Sequence, residues 1–306
     1  MRVSLRVVGQ FAFADRVAAL VAERESQIVL GLDPDPMRLW DVAAAAFAGD
    51  GTPAERTARA VLAHCRALID AAGPACVAVK PQLACFERLG APGIATLAEV
   101  VDAAHAAGLL VLADGKRGDV PVTAAAYAQA LAGSVSGPAG ELQGLGVDAF
   151  TANPLLGIDA LEPLIATGAG VFVLVRTSNP GAADVEDLEL AAGGALWERL
   201  AEIVDSLGQP RECGLADVGA VLGATEPAHL ERARELMPHA IFLLPGVGAQ
   251  GGRVEDLAPA FAPGPAAGLV TASRSIANAP SENGHGPAKA ARAEAERLRE
   301  LAWSLA

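Results

Sequence analysis

The sequence predicts an α/β fold, a (β/α)8 barrel of the TIM type in a single domain, on three observations. Eight short apolar runs recur along the 306 residues, and Ala/Leu/Glu/Arg-rich stretches of helical period separate them. Unbroken apolar runs of that length read as strands buried on both faces, the habit of parallel sheets. Seven of the eight runs lead into a polar or charged residue, at the end where such a barrel carries its catalytic and binding groups.

The elements follow in order. The first strand, 28–33, ends at Asp33, and a helix is predicted over 54–71. The second strand, 76–82, carries Lys80 near its end, ahead of a helix at 94–106. The third, 108–114, delivers Asp114 and precedes a helix at 123–132. The fourth, 147–153, ends at Asn153, and the fifth, 170–176, runs into Ser178. The sixth, 218–223, approaches Thr225 and a helix at 227–236. The seventh spans 241–245, and the eighth, 268–273, ends beside Arg274. An amphipathic helix at 288–305 closes the wall. Eight such units in about 280 residues suit a closed barrel better than an open doubly wound sheet. Residues 133–146, rich in Gly and Ser, are expected to form a surface excursion. The acidic stretch 181–192 is expected to form a loop near the barrel mouth. Residues 1–10 are expected to be a disordered extension.

Composition limits the function classes. Hydrophobic residues make up 52% of the chain, enough for a large core, while aromatic residues are only 4%. That disfavours stacking platforms for single-stranded nucleic acid. A net charge of −13 argues against a polyanionic partner, but not against a small phosphorylated ligand that needs only a local positive site. No apolar run approaches the ~18–20 residues needed to cross a bilayer, and no signal-peptide core opens the sequence. Cys65, Cys76, Cys85 and Cys213 show no C-x-x-C spacing, so they are expected to be buried free thiols of a cytoplasmic protein. His64, His105, His229, His239 and His285 fall in helical or loop stretches and are expected at the surface or as caps. Neither metal-ligand spacing nor a G-x-S-x-G elbow is present.

The most informative stretch is Asp114-Gly-Lys116-Arg117-Gly-Asp119-Val120. Of 23 basic residues only three are lysine: Lys80, Lys116 and Lys289. Arginine is pinned protonated, whereas lysine can give up a proton, so two lysines at strand ends hint at proton chemistry. Asp114 and Lys116 lie two apart on an extended segment and should point the same way. Lys80 ends the neighbouring strand and Asp119 follows within a short turn. An alternating Asp–Lys–Asp–Lys array keeps every member ionised. The charges alone leave open a buried structural ion-pair network.

The segment from Asp114 to Asp119 and Val120 resembles the D-x-K-x-x-D-[IV] signature of orotidine 5′-phosphate decarboxylases. Other segments resemble the bacterial long-form, type 2 branch of that family. They are Gly31-Leu-Asp33-Pro34, Val79-Lys80-Pro-Gln82, Asn153-Pro-Leu-Leu-Gly157, Arg176-Thr-Ser178-Asn-Pro-Gly181, Gly223-Ala-Thr225, the glycine-rich 245–252 and Ser273-Arg274-Ser-Ile276. The resemblance implies decarboxylation of orotidine 5′-phosphate to UMP in pyrimidine biosynthesis, without a cofactor or metal. It implies that Lys116 protonates C6 of the pyrimidine and that Asp114 lies beside the departing carboxylate. Lys80 would hold Asp114 and a ribose hydroxyl, Asp33 would bind the ribose, and Ser178 the pyrimidine amide. Asp119 and Thr123 would reach into the other subunit's site, which implies a homodimer.

The stretch 245–252 also contains a literal G-x-G-x-x-G. A dinucleotide fold places that pattern after its first strand, whereas here it follows the seventh. A phosphate cradle after the last strands of a barrel is the better reading. Gly248 would let backbone N–H groups approach the anion, Gln250 and Arg274 would add donors, and Ser273 completes the binding set. Two other readings stand beside this one. A related sugar-phosphate decarboxylase or aldolase barrel carries the same D-x-K-x-x-D motif but uses magnesium. A non-catalytic nucleotide-phosphate binding protein would have no need of Lys116 beside two carboxylates.

Overall fold

A computed structural model describes residues 11–224, 227–247, 251–280 and 286–306. Residues 1–10, Thr225, Gly248, Gln250 and His285 lie outside the described residues. The chain enters through α1 (Phe13–Arg24), β1 (Ile28–Leu32), α2 (Pro53–Ala72), β2 (Ala78–Pro81), a short α3 (Leu83–Glu87) and α4 (Ala91–Ala106). Then follow β3 (Leu110–Arg117), α5 (Pro121–Leu131), β4 (Ser134–Gly137), β5 (Gly140–Gln143), β6 (Ala149–Ala152) and α6 (Ile158–Ile165). The second half carries β7 (Gly170–Arg176), α7 (Leu196–Leu207), β8 (Ala216–Leu222), α8 (Pro227–Leu236), β9 (Ala240–Leu244), β10 (Gly268–Ala272), α9 (Arg274–Ala277) and α10 (Pro287–Trp303).

Eight of these strands close a parallel barrel in the order β1-β10-β9-β8-β7-β6-β3-β2, the predicted (β/α)8 architecture. The excursion at 133–146 is an antiparallel hairpin of β4 and β5 standing outside the barrel. Between β9 and β10 the chain makes a 3-10 stretch, Val254–Phe261, in place of an α-helix; Pro259 within it has no N–H to give a helix. The longest helix, α2, starts at a capping box. The Thr52 hydroxyl accepts the Glu55 N–H, and the Glu55 carboxylate accepts the Thr52 N–H. This satisfies two donors that a helix start otherwise leaves bare.

Strand side chains alternate between faces, and this period sets the site above the core. Ala78, Leu112, Ala149, Phe172 and Leu269 belong to a buried apolar cluster within the barrel. Two residues further along the same strands come Lys80, Asp114, Thr151, Leu174 and Thr271, which line a cavity. One strand repeat thus turns a hydrophobic floor into a layer that is polar at four of these five positions.

The helix α1 lies outside the predicted strand-and-helix units, since residues 11–27 carry no strand-like run. It caps the N-terminal end of the barrel. Phe13 meets the edge of Phe172 at 5.9 Å and seats on Gly170, where a Cβ would collide with its ring. The Ala14 N–H donates to the buried Asp217 carboxylate at 2.8 Å. Arg16 pairs with Asp148, whose second oxygen meets His105 Nε2 at 2.9 Å and accepts the Val111 N–H. These carboxylates are buried yet ion-paired or hydrogen-bonded, as buried charges must be.

Two expectations about single residues need correction. Cys213 is exposed and Cys85 half-buried, so only Cys65 and Cys76 are buried thiols. His64 is buried in α2 rather than at the surface. Its Nδ1 accepts the Trp40 N–H at 3.1 Å, and burial pushes its pKa down to about 4.

Candidate active site

At the C-terminal ends of the strands lies a cavity of about 570 Å³, within the ~300–1,000 Å³ usual for small-molecule sites. Its centre is Asp114, on β3. Lys80 Nζ, from β2, donates to Asp114 Oδ2 at 2.7 Å, and Lys116 Nζ donates to Oδ1 at 2.7 Å. Gln82 Nε2 adds a bond to Oδ2 at 3.2 Å, and the Thr151 hydroxyl donates to Oδ1 at 3.0 Å. Burial alone would raise the Asp114 pKa, but the two ammonium groups and their hydrogen bonds outweigh it and hold it at about 2. Lys80 and Asp114 are almost wholly buried, whereas the Lys116 side chain is 44% exposed toward the cavity mouth. Lys116 is therefore the member that a ligand can reach.

Lys116 meets Asp114 for a different reason from the one the sequence suggested. Its backbone is left-handed, φ +48°, not extended. The register between β3 and β6 shifts between Ala113 and Arg117. Such irregularities re-aim a side chain at a strand end. The Lys116 N–H leaves the ladder and donates to Thr151 Oγ1 at 2.8 Å.

The remaining expected residues sort into two groups. Asp33, Ser178, Ser273 and Arg274 line the cavity. Ser273 comes close because β1 carries Gly31 opposite it, where a Cβ would overlap the serine hydroxyl. Asp119 and Thr123 do not line it. The Asp119 carboxylate accepts the N–H of Val120 at 2.8 Å, and Thr123 is exposed on α5. Within one chain the array is therefore Lys80–Asp114–Lys116, one carboxylate between two cations.

Sequence reasoning missed three parts of the chamber. Gln82 stands two residues after Lys80, and Thr151 two before Asn153, so strand alternation could have found both. Thr271 also lines the cavity, its hydroxyl buried and unpaired among the described residues, a group that a polar ligand atom would satisfy. The segment after β7 forms part of the wall. It contains a 3-10 turn, Pro180–Asp184, not a plain loop. Arg176 grips Asp187 with two bonds of 2.7 and 2.9 Å, and the Thr177 N–H donates to Glu186 at 2.8 Å. These bonds close the loop that carries Ser178, Ala182 and Val185 of the lining.

Comparison with known proteins bears on this chamber. Residues 26–291 match the family model described as orotidine 5′-phosphate decarboxylase / HUMPS family. An orotidine 5′-phosphate decarboxylase of Rhodopirellula baltica is 39% identical over 279 residues, covering 86% of this chain and 87% of the relative. One from Deinococcus radiodurans is 41% identical over 272 residues, covering 86% and 88%. Among solved structures, the OMP decarboxylase of Leishmania donovani superposes with a TM-score of 0.70 at 30% identity, covering 95% of this chain and 99% of that one.

Proposed function

Since this chain belongs to the orotidine 5′-phosphate decarboxylase / HUMPS family, we propose that it decarboxylates orotidine 5′-phosphate to UMP in pyrimidine biosynthesis, with Lys116 protonating C6. The single observation that carries the reading is the Lys80–Asp114–Lys116 array in the cavity. A binding site for an anion has no reason to bury a carboxylate at its centre. A site that must develop charge and then deliver a proton does.

The chemistry runs as follows. The C6–carboxylate bond breaks, its electron pair stays on C6, and neutral CO2 leaves. The pair lies in the ring plane and is not delocalised, so a fixed opposite charge must meet it. The Lys116 ammonium supplies that field and transfers its proton to C6, becoming an amine that water reprotonates. Asp114 stands beside the substrate carboxylate. Two carboxylates about 4 Å apart at an effective dielectric near 20 repel by roughly 4 kcal/mol, about a thousandfold in rate if fully relieved as CO2 departs. Lys80 holds Asp114 and a ribose hydroxyl, and Asp33 holds the ribose. Ser178 takes the pyrimidine amide. Arg274 and Ser273, with Gly248 and Gln250, take the phosphate.

Asp119 and Thr123 serve the site of a second subunit in a homodimer. Their position outside their own cavity supports this. So does their apolar setting: Val120 and Val122 at the start of α5, with Leu155, Leu156 and Ile158 beside the adjoining α6, are exposed. Such a patch on a single chain marks a contact surface.

A spectrophotometric assay with orotidine 5′-phosphate, with and without chelator, tests the reading. Turnover indifferent to the chelator is expected. Turnover lost with the chelator would point to the magnesium-dependent sugar-phosphate chemistry of related barrels, and binding without turnover to a non-catalytic protein.

A further inference from the structure

Thr151 sits inward on β6 with 1% of its surface exposed. A buried strand position of this kind suits valine, which has threonine's shape and no hydroxyl to desolvate. The hydroxyl must therefore be satisfied, and it is satisfied twice. Its oxygen accepts the Lys116 backbone N–H at 2.8 Å, and its O–H reaches Asp114 Oδ1 at 3.0 Å. The direction of each bond is fixed by chemistry. An amide N–H only donates, and an ionised carboxylate only accepts. The hydroxyl proton therefore points at Asp114.

The two partners are the two ends of one catalytic contact. Lys116 Nζ donates to the same Oδ1 that Thr151 holds. Lys116 also has the left-handed backbone that a non-glycine residue adopts at a cost of about 1–3 kcal/mol, at the point where the β3–β6 register slips. The ladder offers its N–H no backbone acceptor there, and the Thr151 side chain takes that place.

We propose that Thr151 is a positioning residue, one hydroxyl that fixes both the backbone from which Lys116 projects and the carboxylate to which its ammonium is bound. It touches no reacting atom and acts through Lys116 and Asp114. The inference rests on the decarboxylase reading above and assigns the support that β6 gives its proton donor.

The test compares Thr151→Val with Thr151→Ser in the full-length chain, using turnover of orotidine 5′-phosphate and amide hydrogen exchange at Lys116. Thr151→Val is expected to lower kcat by about 10- to 100-fold with KM changed less than about threefold, and to speed exchange of the Lys116 amide. Thr151→Ser, which keeps the hydroxyl, is expected to recover most of the rate. A kcat for Thr151→Val within twofold of the parent overturns the proposal, as do equal losses in both variants or an unchanged Lys116 amide. If Thr151→Val does not fold, Thr151→Cys replaces it with the same expectation, because a thiol is a weak donor of similar size. Failure of both to fold makes Thr151 a residue of the fold alone, which also overturns it. If the parent chain does not decarboxylate the nucleotide, the functional reading fails instead, and the Lys116 exchange still decides whether Thr151 holds that backbone.

Discussion

At the scale of the residue, the choice between lysine and arginine carries the chemistry. Arg117, next in sequence to Lys116, pairs with Glu87 and stacks over Tyr127 at 5.4 Å, a fixed strut at the base of the strand end. Lys116, more exposed than Lys80 at the cavity, is the proposed proton donor. Lys116→Ala should retain UMP binding, read by calorimetry, while turnover falls by several orders of magnitude; near-normal turnover would sink its assignment as the acid. Arg274 stands exposed at the opposite rim of the cavity. Arg274→Ala should raise KM by about 10-fold or more, as loss of a charge-assisted phosphate contact does, with little change in Tm. An unchanged KM would remove Arg274 from the binding set.

His64 gives a residue-scale prediction of a different kind. Its folded pKa of about 4 lies below the usual 6.5 because burial opposes the charged ring. Between those values the unfolded chain binds a proton that the folded chain does not, so stability falls as pH drops from about 6.5 to about 4, by about 3 kcal/mol in all. Asp114 adds a second window. Its attraction to the two lysines is complete above the usual carboxylate value of 3.8 and is lost as pH falls through about 2. Urea titrations across pH should show the first loss flattened in His64→Asn, which keeps an acceptor for the Trp40 N–H, and the second unchanged.

At the scale of the element, β3 and the segment behind β7 build the site. The register slip at the end of β3 was not legible, because a two-residue spacing looks the same in a regular strand and in a bulged one. The lysine reached its carboxylate regardless, by a backbone route that no pattern of residue types encodes. The grip of Arg176 on Asp187 was equally hidden, since the acidic stretch 181–192 reads only as polar. Those hydrogen bonds hold the Asp187 carboxyl below the usual carboxylate range. Asp187→Asn should loosen the segment over Ser178 and raise KM by about 3- to 10-fold while leaving kcat at saturation close to the parent value. A kcat that falls as far as KM rises would place the defect in the array rather than in the wall. The barrel strands, by contrast, were legible as buried runs, and β7 matches its predicted 170–176 in full. The α1 helix was missed although Phe13, Val17 and Val21 form an apolar stripe at helical spacing. It precedes the first strand and so belongs to no strand-and-helix unit.

At the scale of the whole molecule, the proposed dimer makes a quantitative claim. Lys116→Ala and Asp119→Ala chains should each be inactive alone. Mixed through a cycle of dissociation, half the dimers pair one of each, and one site in each such pair regains both residues. About a quarter of all sites should then turn over. Recovery near zero would place Asp119 in its own chain's site, and full activity of Asp119→Ala alone would place it outside any. Much of the chamber could be read ahead of the structure because strand ends carry it, and strand ends are where apolar runs stop. The Lys80–Asp114 contact between strands could be read; the further contacts of Thr151 with β3 and of Gln82 with Asp114 could not.

The helix that seats Phe13 on Gly170 packs against the N-terminal end of the barrel. The cavity lies at the other end of the strands. On the proposed reaction, the nucleotide and the carbon dioxide it releases both pass through that end of the barrel. The Arg176–Asp187 pair behind β7 stands beside the same end.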